Sequence, residues 1–166
     1  LVARWLMRNG QETMAYRAAA SHHLSTGSDF VDLEFLAGFI ALRRLGDADT
    51  ALQHFTRLKA AAGTPISLSR ADYGTGRALE AKGDAAGARA AYQAAAQHQT
   101  AYYGQLAAEK LGLTLDPALV QVGEPQRGYK TAPFADSSVL QAGRLLQAIG
   151  ERGQAKRFFL HLAEGQ

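Results

Sequence analysis

Apolar residues recur at three- and four-residue steps along most of the chain, which is the spacing of one face of an α-helix. The segment 29–45 shows the pattern well, with Asp29 at its front as a candidate N-cap. Its apolar face consists of Leu33, Leu36, Ala37 and Ile40. No convincing stretch alternates apolar and polar residues at period two. The pattern therefore predicts an all-α chain.

The same periodicity predicts nine helices. Their ranges are 2–8, 12–24, 29–45, 48–62, 65–82, 85–98, 101–111, 135–149 and 152–164. Thr64 and Pro65 suit the N-cap and the first turn of the fifth helix. Residues 113–133 hold three of the four prolines and predict an irregular loop. A connection of this length is either a surface loop along the helices or a functional segment.

Three helical pairs share one signature, in which a glycine is followed by an alanine five residues later and by an aromatic residue four residues after that. The copies are Gly46, Ala51 and Phe55; Gly83, Ala88 and Tyr92; and Gly150, Ala155 and Phe159. A weaker copy upstream has Gly10, Ala15 and Ala19. The glycine suits the left-handed turn that ends a helix, and Asp47 and Asp84 suit the cap of the next one.

The alanine in this signature allows the second helix to approach the first closely, and the aromatic residue fills the groove on the same face. Each copy is therefore predicted to be an antiparallel αα-hairpin. Stacked hairpins give an α-α superhelix, or solenoid, of TPR-like units. We expect a single superhelical domain over residues 1–166, interrupted by the irregular loop 113–133.

Gly104 directly follows Tyr102 and Tyr103 near the front of a predicted helix, where glycine costs about 1 kcal/mol relative to alanine. Gly104 and Ala108 lie four residues apart, which lets a neighbouring helix approach closely. The two tyrosines are expected to pack against that neighbour, since each combines a large ring with a polar tip. The alternative is that an exposed tyrosine stacks on a sugar ring.

Composition and charge narrow the classes of function. The chain is 47% hydrophobic and 20% charged, which is typical of a folded globular domain. Its net charge is +3 without a clustered basic stripe, so we predict no nucleic-acid partner. The absence of cysteine excludes disulfides, thiolate zinc sites and a cysteine nucleophile. No apolar run approaches the roughly 20 residues of a membrane span.

Candidate acids for glycoside cleavage are Glu34, Glu80 and Glu109, and we expect all three to be solvated or paired surface groups. His22 and His23 are predicted to lie on a helix and to point in different directions. No pair of histidines has the spacing of a helical metal site, so neither a metal nor another cofactor is predicted. His54 is expected to be a packing or hydrogen-bonding group.

Two further groups have a structural and a functional interpretation. Gly74 and Gly76 flank Thr75, but no strand precedes them, so they indicate a helix crossing rather than a phosphate loop. Arg70 and Arg77 lie seven residues apart and share a helix face. They are expected to form salt bridges, with the grip of an acidic partner as the alternative.

The stretch Tyr-Gly-Gln-Leu-Ala-Ala at 103–108, followed by Leu-Gly at 111–112, resembles a signature in the superhelical region of soluble lytic murein transglycosylases. Segments 34–55, 66–84 and 134–164 are similar to further segments of that family, in the same order. His54 matches a family position in Ala-x-x-His-Phe. The family often has tryptophan at the positions of Phe39 and Gly74, so Gly74 is expected to loosen a helix contact.

The resemblance implies a non-catalytic helical scaffold within a periplasmic protein that cleaves peptidoglycan glycan strands and leaves 1,6-anhydro ends without a cofactor. In the family, a separate C-terminal lysozyme-like domain carries the catalytic glutamate, followed by serine. The chain contains no Glu-Ser pair, so no catalytic residue is predicted, and no substrate-binding residue is assigned. Because the chain begins Leu-Val-Ala rather than with methionine or a signal peptide, we expect it to be part of a longer protein.

Two alternatives stay open beside this interpretation. A TPR-like adaptor that binds a protein or peptide in its concave groove is equally consistent with the hairpin repeat. An enzyme complete in this chain has the least support, because no set of acid, base and nucleophile emerges from the residues.

Overall fold

The structure is a computed structural model that describes residues 2–120 and 128–164. Within these ranges it is all-helical and contains no strand. The helices are α1 (Val2–Arg8), α2 (Glu12–Ala20), α3 (Ser28–Arg43), α4 (Ala48–Ala61), α5 (Pro65–Ala81), α6 (Ala85–Ala96), α7 (Tyr102–Lys110), α8 (Pro117–Val120), α9 (Ser138–Ala148) and α10 (Arg152–Glu164). A 3₁₀ turn covers Tyr129–Thr131.

All nine predicted helices are confirmed as helices, although some ends differ. Helix α2 ends at Ala20, four residues earlier than predicted, so the placement of His22 and His23 on a helix was wrong. Helix α9 begins at Ser138 because the Ser137 hydroxyl accepts the Leu140 N–H at 3.1 Å. Helix α3 follows Gly27 without a side-chain cap, so the assignment of Asp29 as its N-cap was also wrong.

The chain divides into two compact units, Leu1–Gln121 and Val122–Gln166. Helices α1–α8 belong to the first unit, and the 3₁₀ turn, α9 and α10 belong to the second. A single domain over residues 1–166 therefore stays a prediction. The predicted loop 113–133 contains α8 and the 3₁₀ turn, and its central residues 121–127 lie outside the described ranges.

The signature glycines lie at corners between helices, as predicted. Gly46, Gly83 and Gly150 have φ of +70°, +80° and +88°, in the left-handed region that favours glycine. After Gly83 the Asp84 N–H donates to the Leu79 carbonyl at 3.0 Å, which closes the end of α5. Asp47 and Asp84 then cap α4 and α6 by accepting backbone N–H groups at 2.9 Å.

The signature aromatic rings pack against glycines inside the helices. A Cβ on Gly38 of α3 or Gly74 of α5 would lie 2.7 or 2.8 Å from the Phe55 ring, so the two glycines enclose that ring. A Cβ on Gly76 would lie 2.5 Å from the Tyr92 ring. The expectation that Gly74 loosens a helix contact was therefore wrong, because its missing side chain makes room for Phe55.

Helix order within the first unit follows from which helices touch. The pairs α1–α2, α3–α4 and α5–α6 pack together, and so do α2–α3, α4–α5 and α6–α7. In addition, α3 touches α5 and α5 touches α7. These last contacts place α3, α5 and α7 side by side in one layer.

Gly104 lies at the closest approach between α7 and the end of α6. A Cβ at this position would be 2.0 Å from the His98 carbonyl oxygen and 3.0 Å from the Ala95 carbonyl oxygen. These atoms belong to the backbone, so they cannot turn away as a side chain can. The close approach predicted from Gly104 is confirmed.

We predict that Gly104→Ala lowers the free energy of unfolding by about 2 kcal/mol or more, because overpacking outweighs the gain in helix propensity. The matched control is Gly63→Ala in the same unit, where a Cβ meets nothing within 4 Å. The control should change stability by no more than about 0.5 kcal/mol. Urea unfolding followed by circular dichroism measures both, and equal stability of the two variants would contradict the packing explanation.

Candidate functional site

A network of hydrogen bonds around one buried carboxylate joins α2, α3 and α4. Glu34 of α3 is 3% exposed, and its Oε2 accepts hydrogen bonds from His54 Nδ1 at 2.7 Å and Arg57 Nε at 3.0 Å. Its Oε1 accepts from His22 Nε2 at 3.1 Å. The Tyr16 hydroxyl lies 3.0 Å from His54 Nε2. The network thus connects α2, α3 and α4 with the segment between α2 and α3.

The hydrogen-bond pattern fixes where the proton of His22 lies. The Leu24 N–H donates to His22 Nδ1 at 3.0 Å, so Nε2 of His22 carries the proton that it donates to Glu34. At His54, Nδ1 lies 2.7 Å from the Glu34 carboxylate and also 2.8 Å from Arg57 Nη2, so the carboxylate, the imidazole and the guanidinium meet at one point.

Burial and hydrogen bonding oppose each other at Glu34. Burial alone would raise the pKa of Glu34, but the hydrogen bonds from His54, His22 and Arg57 outweigh it and hold the pKa below its ordinary 4.5. Burial lowers the pKa of His54 below its ordinary 6.5, and the Glu34 carboxylate offsets only part of that shift. Near neutral pH, Glu34 is therefore ionised and His54 is neutral.

This arrangement is suited to clamping helices rather than to glycoside cleavage. A general acid needs a raised pKa and access to substrate, and Glu34 has neither. The expectation that Glu34 is a surface group was wrong, whereas the hydrogen-bonding role expected for His54 is confirmed. Glu80 and Glu109 are exposed, and Glu80 Oε1 pairs with Lys110 Nζ at 2.8 Å.

One signal in the sequence pointed to the burial of Glu34. The residues three or four positions away on α3, namely Phe30, Val31, Ala37 and Gly38, are buried along with it. A carboxylate on such a face needs partners. Those partners come from 12 and 20 residues away along the chain, which the periodicity of α3 does not reveal.

Aromatic rings of α3, α5, α6 and α7 form a continuous set, which we call the aromatic face. Ring centroids are 5.5 Å apart between Phe35 and Tyr103, 5.5 Å between Tyr103 and Tyr73, and 5.6 Å between Tyr73 and Tyr92. Tyr102 extends the set, with its ring 5.2 Å from Tyr103 and nearly perpendicular to it. These separations are those of interacting aromatic pairs.

The two adjacent tyrosines have different environments. Tyr103 is partly buried among the rings, and this burial raises the pKa of its hydroxyl. Tyr102 is 67% exposed, although its ring is held against that of Tyr103. The packing role expected of the pair therefore accounts for Tyr103, while Tyr102 keeps a large ring surface in contact with solvent.

Charged groups around the aromatic face are paired. Arg70 lies over the Phe35 ring at 4.9 Å and bonds Asp32 at 3.0 Å. Arg77 Nε lies 3.3 Å from a carboxylate oxygen of Glu80. The salt bridges expected of the two arginines are confirmed.

Neither a metal centre nor a membrane span occurs among the described residues. Residues 2–120 and 128–164 contain no group of three histidine, cysteine, aspartate or glutamate side chains able to hold a metal ion. Across the same ranges, every helix is too short or too polar to cross a bilayer. The chain matches no protein-family model, no curated protein and no solved structure.

We predict that Glu34→Gln lowers the free energy of unfolding by about 2–3 kcal/mol, since it removes the charge that three buried or half-buried donors share. The matched control is Glu109→Gln, an exposed carboxylate on α7, which should change stability by no more than about 0.5 kcal/mol. Thermal and urea unfolding give the comparison. Equal losses in the two variants would show that the network contributes nothing specific.

We also predict that the chain loses stability as the pH falls below the ordinary pKa of histidine. The pKa of His54 is lowered on folding. Below pH 6.5 the unfolded chain therefore binds a proton at His54 more readily than the folded chain does, which favours unfolding. The pKa of Glu34 is also lowered, and this adds a further loss below pH 4.5. The slope for one proton approaches about 1.4 kcal/mol per pH unit.

The titration of His54 is tested by urea unfolding at a series of pH values. His54→Gln should remove the part of the slope that begins near pH 6.5, while His161→Gln, which changes an exposed histidine on α10, should retain it. If the wild-type chain had the same free energy of unfolding at pH 7 and at pH 5, the assignment of this pH dependence to His54 would be contradicted.

Proposed function

We propose that this chain is a non-catalytic helical scaffold domain of a peptidoglycan lytic transglycosylase, built as an α-α superhelix of TPR-like hairpins. The observation that carries the architecture is the layer of α3, α5 and α7, in which α3 and α5 are each followed by a helix that packs against it. In stacked hairpins, the first helices of successive units line one face in this way. The contacts of α2, α4 and α6 with the next helix along the chain agree with such a stack.

The proposed family rests on the ordered resemblance of four segments to the superhelical region of those enzymes. In this proposal, the parent protein cleaves murein glycan strands in the periplasm and forms 1,6-anhydromuramic ends without a cofactor. A separate lysozyme-like domain supplies the catalytic glutamate, and this chain holds that domain in position. The low pKa and the burial of Glu34 support a scaffold role, because they make this carboxylate a poor general acid.

Contact with glycan is supported by the aromatic face. Tyr102 exposes most of its ring and is held in a fixed orientation by Tyr103, which keeps the entropy lost on binding a sugar ring small. Murein also carries peptide carboxylates, with which the net charge of +3 is compatible. The scaffold would therefore guide a glycan strand along the layer of α3, α5 and α7.

A second candidate is a TPR-like adaptor that binds a peptide on the same aromatic face. The exposed ring of Tyr102 supports this function as well, because tyrosine is enriched at protein interfaces. The two candidates differ in what the gene encodes after Gln166. A downstream lysozyme-like domain with a Glu-Ser pair would favour the transglycosylase scaffold, and a downstream region without one would favour the adaptor.

We predict that the purified chain co-sediments with peptidoglycan sacculi but does not clear a suspension of them. Tyr102→Ala should reduce the bound fraction, with affinity falling by about three- to tenfold for the loss of one stacking ring. The matched control is Trp5→Ala on α1, where the ring is 60% exposed but lies outside the aromatic face.

Two outcomes would contradict the scaffold proposal. A chain that clears sacculi in the turbidity assay would be an enzyme in its own right. A chain that stays in the supernatant at all salt concentrations would have no affinity for murein, and the adaptor would then be the better candidate.

A further inference from the structure

Helices α9 and α10 line an open groove with a volume of about 650 Å³. A second hollow of about 360 Å³ adjoins it, and Gln147 and Phe159 line both. The groove floor is apolar and includes Phe134, Leu140, Phe159, Leu160 and Leu162. We call the two hollows together the α9–α10 groove, and all of its lining residues belong to the second unit.

The hairpin repeat indicates what kind of group fits this groove. Phe159 corresponds to Phe55 and Tyr92 in the repeated signature, and those two rings are 2% and 4% exposed. Each is covered by the helix that follows its own pair, α5 for Phe55 and α7 for Tyr92. Gly74 of α5 packs on Phe55, and Ala107 and Ala108 of α7 cluster with Tyr92.

Phe159 has the contact within its own helical pair but not the contact with a following helix. Its ring packs against Gly143 of α9, where a Cβ would lie 2.6 Å away, just as Phe55 packs on Gly38. Its other side lines the groove, and the described part of its own unit supplies no third helix to cover it. By the rule that holds twice in the first unit, the group that fits against Phe159 is a helix with a small residue at the contact.

The charge of the groove limits the chemistry of that helix. The charged residues that α10 contributes to its lining are Arg152 and Lys156, and both are cations. Arg152 and Lys156 stand one helical turn apart on the same face of α10 as Phe159 and Leu160. Carboxylates on a bound helix would therefore meet a cationic rim beside an apolar floor.

We propose that the α9–α10 groove binds an amphipathic α-helix of a partner protein, with small and apolar residues on one face and carboxylates along its edges. Such helix-in-groove recognition uses residues at successive turns as anchors. The charge pattern argues against a second copy of this chain, because a symmetric pair would bring the same cations together. The proposal is independent of the proposed function, since it does not require murein or a catalytic domain.

The test uses the full chain and two synthetic peptides of about 18 residues, or five helical turns. Both peptides carry alanine and leucine on one face, and one has glutamate and the other lysine on the opposite face. Fluorescence anisotropy should show that the chain binds the glutamate peptide at least about tenfold more tightly, with the difference shrinking as salt screens the rim.

Matched variants locate the binding. Arg152→Glu combined with Lys156→Glu should weaken binding of the glutamate peptide at least about tenfold. Arg157→Glu changes a residue outside the lining and should leave this binding unchanged. Leu160→Asp should weaken both peptides, and Leu145→Asp should weaken neither, although both leucines are more than half exposed, at 51% and 69%. Circular dichroism of each variant checks that the helices are retained.

Three results would overturn the proposal. Equal affinity for the two peptides would remove the role of charge, and unchanged binding in the double charge variant would place the peptide elsewhere. Concentration-dependent dimerisation in sedimentation velocity, abolished by Leu160→Asp, would mean that a second copy occupies the groove.

Discussion

The contact between an aromatic ring and a helical glycine is the constraint on which the rest of this structure depends. Phe55 fits between α3 and α5 only because Gly38 and Gly74 have no side chains, and Tyr92 and Phe159 meet Gly76 and Gly143 in the same way. Each glycine weakens its own helix by about 1 kcal/mol, and the buried ring offsets this through a large apolar contact. The helices are therefore stable as packed pairs rather than as separate rods.

Close packing of this kind determines where polar groups can be tolerated. Glu34 lies one turn before Gly38 on α3, so the approach of α4 that buries Phe55 also takes this carboxylate out of water. His54 is the neighbour of Phe55 in the chain and is carried to the same depth, where it provides a partner for Glu34. The carboxylate network is thus a consequence of the close crossing of α3 and α4. Its hydrogen bonds in turn determine which side chains meet at that crossing.

The sequence predicted the features that depend on local geometry. A glycine followed by aspartate at 83–84 defines a helix end and a cap through its own backbone, and the predicted corner was confirmed. The burial of Glu34 was not predicted, because His22 becomes its partner only after α2 ends at Ala20 and the chain turns back. The exposure of Tyr102 beside a partly buried Tyr103 likewise depends on Phe35 and Tyr73, which are distant in sequence.

The contact between ring and glycine also explains why the ring of Phe159 lines a groove. Each pair buries one side of its signature ring within itself and needs a following helix for the other side. In the first unit, Phe55 and Tyr92 obtain that helix from α5 and α7. Phe159 has the inner glycine contact but lines a groove on its other side. The described helices thus offer two different surfaces, the aromatic face of the first unit and the α9–α10 groove of the second.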